Sequence, residues 1–298
     1  MFAGSNKIHR GSKCALGLAA CLAVTVAFAQ EETLLERGTY LVQGIVACGN
    51  CHTPKNADGS PVAGMELAGN FTIKEPVFTA YAANITPDRE TGIGTWSDEE
   101  IVHAIRDGIR PDGSIIGPPM PSIFYRDISD RDARAIVAYL RAVPAIKNEI
   151  QKSEYNMPLP PAWGPPVGEV PEVSRNDAAA YANYVTNTLG HCMECHTPMT
   201  ETGQLMMERM GEGGRVFSGI FGLDLTTVSS NVTSHELAGI GEWSDAEISR
   251  AIKTGVGRDG RELAHAMAFD YYENISDEDL SAIVTFLRSL KPLPVSPP

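Results

Sequence analysis

Behind Ser97 the apolar residues Ile101, Ala104 and Ile105 recur at helical spacing, and Gly108 follows as a stop. Behind Ser244 the same figure returns as Ile248, Ala251, Ile252 and Gly255. Each figure opens on serine with glutamate three positions later, Ser97/Glu100 and Ser244/Glu247. That is a capping box, in which side chains satisfy the free amides of the first turn. Ser129 and Ser276 open two more helices, with apolar faces Ile136, Val137, Leu140 and Ile283, Val284, Leu287. Helices are also predicted over 33–43 and 175–189. The pattern predicts an all-α chain.

These correspondences belong to one long internal repeat. At a shift of 147 residues Asn84-Ile85-Thr86 meets Asn231-Val232-Thr233, and Gly92-Ile93-Gly94-Thr95-Trp96-Ser97-Asp98 meets Gly239-Ile240-Gly241-Glu242-Trp243-Ser244-Asp245. Ile128-Ser129-Asp130 meets Ile275-Ser276-Asp277 at the same shift, whereas the cysteines align at 144. The period is too long for a solenoid and indicates duplication of a whole domain. The expected organisation is a segment 1–29, a domain 30–146, a connector 147–174 and a second domain 175–298. Seven prolines between 144 and 171 make the connector extended and semi-rigid, with Tyr155 and Trp163 as anchors on a domain surface.

The first 29 residues differ from the rest. Lys7, Arg10 and Lys13 precede an apolar run to Phe28, then Ala27-Phe28-Ala29, the make-up of a cleavable secretory signal. Two other readings are a retained anchor and a lipoprotein box, Leu18-Ala19-Ala20-Cys21, with Cys21 lipidated. Export places the expected location in the periplasm. The net charge is −13, and cleavage after Ala29 takes it to −16. So acidic a chain excludes nucleic acid as a partner.

Export also leaves four cysteines, whose default in an oxidising compartment is two disulfides. Here they stand as Cys48-Gly49-Asn50-Cys51-His52 and Cys192-Met193-Glu194-Cys195-His196. Cys-x-x-Cys-His is the attachment signature of haem c. Two thiols three positions apart add to the two vinyl groups, and the next residue supplies the proximal imidazole. Two covalently bound haems c are expected, with His52 and His196 on the irons. A zinc site would need both pairs to converge on one metal, which the repeat opposes.

An electron-carrying haem needs a second axial ligand. Met120, in Pro118-Pro119-Met120-Pro121, falls in register with Met267, in His265-Ala266-Met267-Ala268. A thioether favours Fe(II) and raises the potential. His265 is a further possible ligand in the second half. Met199, Met206, Met207 and Met210 are taken as core or loop residues, and His191 as exposed. Trp96 and Trp243 either pack on a haem or staple turn to helix.

The block from Asn84 to Asp98, with Met120 and the helix ending Ala138-Tyr139-Leu140, resembles the class I cytochrome c modules of alcohol dehydrogenase cytochrome subunits and related dihaem cytochromes c. The resemblance covers most of the exported chain, once per half. It implies two tandem class I cytochrome c-like domains, each around one covalent haem. The implied function is single-electron transfer between a periplasmic or membrane-associated dehydrogenase and a cytochrome or terminal oxidase. The alternative is a dihaem enzyme, of peroxidase or thiosulfate-oxidising type, with one labile axial position.

Overall fold

The computed structural model describes residues 1–4, 32–75, 77–200, 203–218 and 226–294. The segment 1–29 read as a secretory signal, with Cys14 and Cys21, lies outside the described residues apart from its first four positions. Residues Glu32–Pro298 form one compact unit.

The first half opens with α1, Leu34–Gln43, capped by a Thr33/Glu36 box. A single turn, α2 (Cys48–His52), comes next. Strands β1 (Thr72–Glu75) and β2 (Phe78–Tyr81) pair antiparallel, with Thr72 opposite Tyr81. Then come α3 (Asp98–Arg106), a short α4 (Ser122–Tyr125) and α5 (Asp130–Ala142). Both predicted caps form: Ser97 and Glu100 close a capping box, and Ser129 accepts from the Asp132 amide.

The connector carries β3 (Glu154–Tyr155), which adds to β2 as the third strand of a β1-β2-β3 sheet. The second half repeats the order. It has α6 (Ala178–Asn183) running into a π-helical segment over Tyr184–Leu189, α7 (Cys192–His196), and the hairpin β4 (Val216–Ser218) and β5 (Thr226–Val228). It ends with α8 (Asp245–Thr254), α9 (Phe269–Tyr272) and α10 (Asp277–Ser289).

The expectation of an all-α chain therefore needs correction. The chain is mainly helical but carries two small sheets. Their strands span two to four residues, too few for a two-residue alternation to stand out in the sequence.

Packing follows the helix faces. Helix α1 crosses α5 at Gly38, where a Cβ would lie 1.9 Å from the Ala135 carbonyl oxygen, so only glycine permits this approach. Leu41, Val42, Ile45, Ile136, Val137 and Leu140 meet at that crossing as buried core. Val185, Leu189, Ile283, Val284 and Leu287 are their counterparts between α6 and α10, and belong to the same continuous core.

The halves are joined by a reciprocal set of hydrogen bonds. Tyr40 donates to Asp279 Oδ2 at 2.5 Å, and Tyr184 donates to Asp132 Oδ2 at 2.7 Å. The tyrosine oxygens also accept from the amides of Ser276 and Ser129, at 3.2 and 3.1 Å. Each half thus offers one helical tyrosine and one aspartate from the first turn of a helix to the other, the pattern of an isologous contact within one chain.

Candidate functional site

In each half a tight backbone reversal delivers the cysteines. The amide of Val46 donates to the Leu41 carbonyl at 2.9 Å, and Gly190 donates to Val185 at 3.0 Å, the same wide turn in both copies. The next residues, Ala47 and His191, sit in the left-handed region at φ 50° and 37°. Non-glycine residues are rarely held there without surrounding packing to fix them. The chain then enters α2 or α7, single turns that place Cys48, Cys51 and His52, or Cys192, Cys195 and His196, side by side.

All four cysteines are free and half-buried. Burial pushes each thiol up to about 12, so they are held neutral rather than as reactive thiolates. Among the described residues no cluster of three or more His, Cys, Asp or Glu is arranged to hold a metal ion.

The two histidines are oriented identically. His52 Nδ1 lies 2.7 Å from the Ala83 carbonyl oxygen, and His196 Nδ1 lies 2.8 Å from that of Ser230. A carbonyl can only accept, so Nδ1 carries the proton and Nε2 keeps its lone pair. Burial lowers both imidazoles, which favours the neutral form. The hairpins serve this arrangement. Gly69 and Gly213 donate back to the carbonyls of His52 and His196, at 2.6 and 2.8 Å, and the returning strands β2 and β5 lead to Ala83 and Ser230.

Asn84 and Asn231 secure the chain just beyond those two carbonyls. The side-chain oxygen of each accepts from the amide two residues on, at 3.0 and 2.9 Å. Their amide nitrogens donate to the Ile146 and Leu293 carbonyls at 2.8 and 2.7 Å. Trp96 and Trp243 are half-buried against the core, and their carbonyls accept from Arg141 and Arg288 of the last helices.

Met120 and Met267 lie in equivalent loops just before α4 and α9, both half-buried. Met120 packs against the core. His265 is exposed, its ring edge-on to Phe269 at 5.8 Å. His191 is not the exposed residue expected. It is half-buried, 3.1 Å from Glu194 Oε2, with its ring edge-on to Tyr125 at 5.7 Å.

Residues of the two Cys-x-x-Cys-His turns lie near one another at the junction of the halves. Tyr125, raised by burial, is raised further by the nearby Cys48, Glu194 and Cys51, which come from both turns. Tyr272 likewise responds to burial and then to Cys192, Cys195 and Cys51. A Cβ at Gly49 would lie 2.1 Å from the Tyr271 hydroxyl, and one at Gly190 would lie 3.0 Å from Ile45.

The donor set fits haem c at both turns. Each has two neutral, unpaired thiols three positions apart, an imidazole with a free Nε2, and an in-register methionine on a loop of the same half.

The chain is similar to known cytochromes c. Residues 33–140 match the family described as cytochrome c oxidase, cbb3-type, subunit III. The chain is 30% identical over 285 residues to the cytochrome c subunit of a quinone alcohol dehydrogenase from Gluconobacter oxydans, covering 89% of this chain and 56% of that one. It is 29% identical over 275 residues to the gluconate 2-dehydrogenase cytochrome c subunit of Pantoea cypripedii, covering 87% and 60%. It is 27% identical over 258 residues to a dihaem c-type cytochrome of Cereibacter sphaeroides, covering 81% of each. The chain thus spans a little over half the length of the first two relatives.

Proposed function

From a chain that carries a cytochrome c domain and is homologous to alcohol dehydrogenase cytochrome c subunits and to a dihaem cytochrome c, we propose a periplasmic dihaem cytochrome c. It takes single electrons from a dehydrogenase and passes them to a downstream acceptor. The observation that carries this reading is the pair of equivalent turns, each with free thiols and an oriented histidine, within one compact unit.

In this reading the halves 30–146 and 175–298 are two cytochrome c domains. Cys48, Cys51, Cys192 and Cys195 hold two haems c, and His52 with Met120, and His196 with Met267, are the axial ligands. Each bound haem supplies an Fe(III)/Fe(II) couple, the one-electron chemistry that no side chain of this protein offers.

The residues do the rest. The Ala83 and Ser230 carbonyls fix the imidazole tautomers and raise their basicity. Buried Leu67, Ile93, Val185 and Met193 lower the local dielectric. Tyr125, buried, and Tyr272, half-buried, add aromatic bulk near cysteines of both turns. A dehydrogenase is the partner because the relatives bearing such chains are dehydrogenase subunits. Export rests on the basic and apolar leader within residues 1–29. Among the described residues no helix is long and apolar enough to cross a membrane.

A redox titration of the haem-loaded protein, followed by absorbance and electron paramagnetic resonance, is expected to show two low-spin centres. No peroxide turnover is expected. A high-spin resting centre that turns over peroxide would replace this reading with that of a dihaem enzyme.

A further inference from the structure

The two methionine loops are equivalent in the repeat but are held by different means. Gly108 ends α3 at φ +65°, and the face its missing side chain leaves open is filled by the indole of Trp163, 2.7 Å from where a Cβ would be. Gly255, its counterpart at φ +68°, is covered instead by the ring of Phe269, at 2.8 Å. Phe269 stands at the position of Ser122, which is too small for the task. One half supplies its covering ring from within, and the other borrows it from the connector.

The borrowed ring brings hydrogen bonds with it. Trp163 Nε1 donates to the Ile116 carbonyl at 2.9 Å. Tyr155, on β3, donates its hydroxyl to the Pro118 carbonyl at 2.9 Å, with its ring against Gly117. The chain immediately before Met120 is therefore tied at two carbonyls.

The connector is itself anchored to the first half. β3 pairs with β2, Ser153 accepts from the Tyr81 amide at 2.9 Å, Val167 donates to Asp107 at 3.0 Å, and Asp130 donates to Val170 at 2.9 Å. The second loop has alanines at 264, 266 and 268 and His265, where the first has Gly117 and Pro118, Pro119 and Pro121. Among the described residues it has no counterpart of the Tyr155 and Trp163 bonds.

We propose that the connector is part of the first haem site: Tyr155 and Trp163 are positioning residues that hold the Met120 loop, and Met267, lacking such a brace, is the exchangeable ligand. A ligand on a tethered loop loses little entropy on rebinding, whereas one on a loose loop must be re-ordered each time. The inference rests on the dihaem reading above and divides the two sites by function. Met120 keeps its iron closed, and the second iron can take a small neutral or anionic ligand in place of Met267.

The test uses the ferric haem-loaded protein and imidazole, followed by the far-red Met-to-iron charge-transfer band. The wild type should bind imidazole in two phases of equal amplitude, at least tenfold apart in rate. Met267→Ala should remove the faster phase, which assigns it. Tyr155→Phe and Trp163→Phe each keep a ring and delete one hydrogen bond. Either should speed the slower phase several-fold and leave the faster one unchanged, and combining them should bring the two together. Phe269→Leu should move only the faster phase. Two equal wild-type rates, or a slow phase indifferent to Tyr155→Phe and Trp163→Phe, would overturn the inference while leaving the dihaem reading intact. A protein with no haem c spectrum would instead defeat the reading beneath it.

Discussion

The double substitution Cys48→Ala/Cys51→Ala is expected to halve the covalent haem content and to abolish the redox centre of the first half. Both thiols sit on one turn whose backbone is bent into place by Ala47 at φ 50°, and His52 is oriented for a single purpose by the Ala83 carbonyl. With the thiols gone, nothing covalent holds the group there. In this reading the core that Cys48 packs against loses a large apolar partner. Cavity formation of that kind costs several kcal/mol, about 3–5 for loss of a single large aromatic side chain. The first half should therefore be destabilised as well as emptied. Haem-stained gels and the reduced absorbance per chain read the first effect, and denaturant unfolding the second. A double variant that still carries two haems would contradict the assignment.

Asp132→Ala is expected to be the most damaging substitution away from the cysteines. Arg37, buried beneath the junction, donates Nε and Nη2 to the two oxygens of Asp132 at 2.7 and 3.0 Å. Burial alone would push the guanidinium down, but the Asp132 carboxylate holds it charged, with a net upward shift. Tyr184 from the other half adds a third hydrogen bond. Removing the carboxylate leaves the buried cation without its ion-pair partner and the Tyr184 hydroxyl with only the Ser129 amide, and breaking a buried ion pair on one side costs about 3–5 kcal/mol.

The counterpart, Asp279→Ala, takes an acceptor from the hydroxyls of Tyr40 and Tyr181 and loses a long contact, 3.8 Å, to the exposed Arg175, with no buried cation beside it because Tyr181 stands where the first half has Arg37. An unsatisfied buried hydroxyl costs about 1–3 kcal/mol. Asp279→Ala should thus be the milder of the two in urea unfolding. Replacing Arg37 and Asp132 together by Met and Leu should recover most of the loss. If Asp132→Ala proved no worse than Asp279→Ala, the buried charge would not be what matters at this junction.

The proposed chemistry of the site was legible because the proposed ligand would dictate the spacing. Two thioether bonds and one proximal imidazole force Cys-x-x-Cys-His, and duplication then marks Met120 against Met267 in a chain of ten methionines. The helices were legible for a similar local reason, since a capping serine and a glutamate three residues on satisfy amides that every helix start exposes.

The junction of the halves was not read, although its signal was present. Tyr40 and Tyr184 are 144 residues apart and Asp132 and Asp279 are 147 apart, the two shifts of the repeat. No local rule says that a tyrosine of one copy meets an aspartate of the other, because that is a property of how two surfaces dock. The hairpins escaped because each is only a few residues long and is held by the return to His52 or His196 rather than by its own pattern. No helix forms over residues 147–174, where the prolines lie, and Tyr155 and Trp163 anchor that stretch. What proline content cannot show is where the anchors land, here on the carbonyls that lead into Met120.

The proposed function stands or falls on two covalently attached haems, one on each Cys-x-x-Cys-His turn. Intact-mass measurement after acid–acetone extraction, which strips non-covalent haem, tests this most directly on protein made with haem-attachment machinery. The expected result is a mass raised by two haem groups, with tryptic peptides containing Cys48–Cys51 and Cys192–Cys195 each carrying one. A mass lowered by the hydrogens of two disulfides, or raised by a single haem, would contradict it.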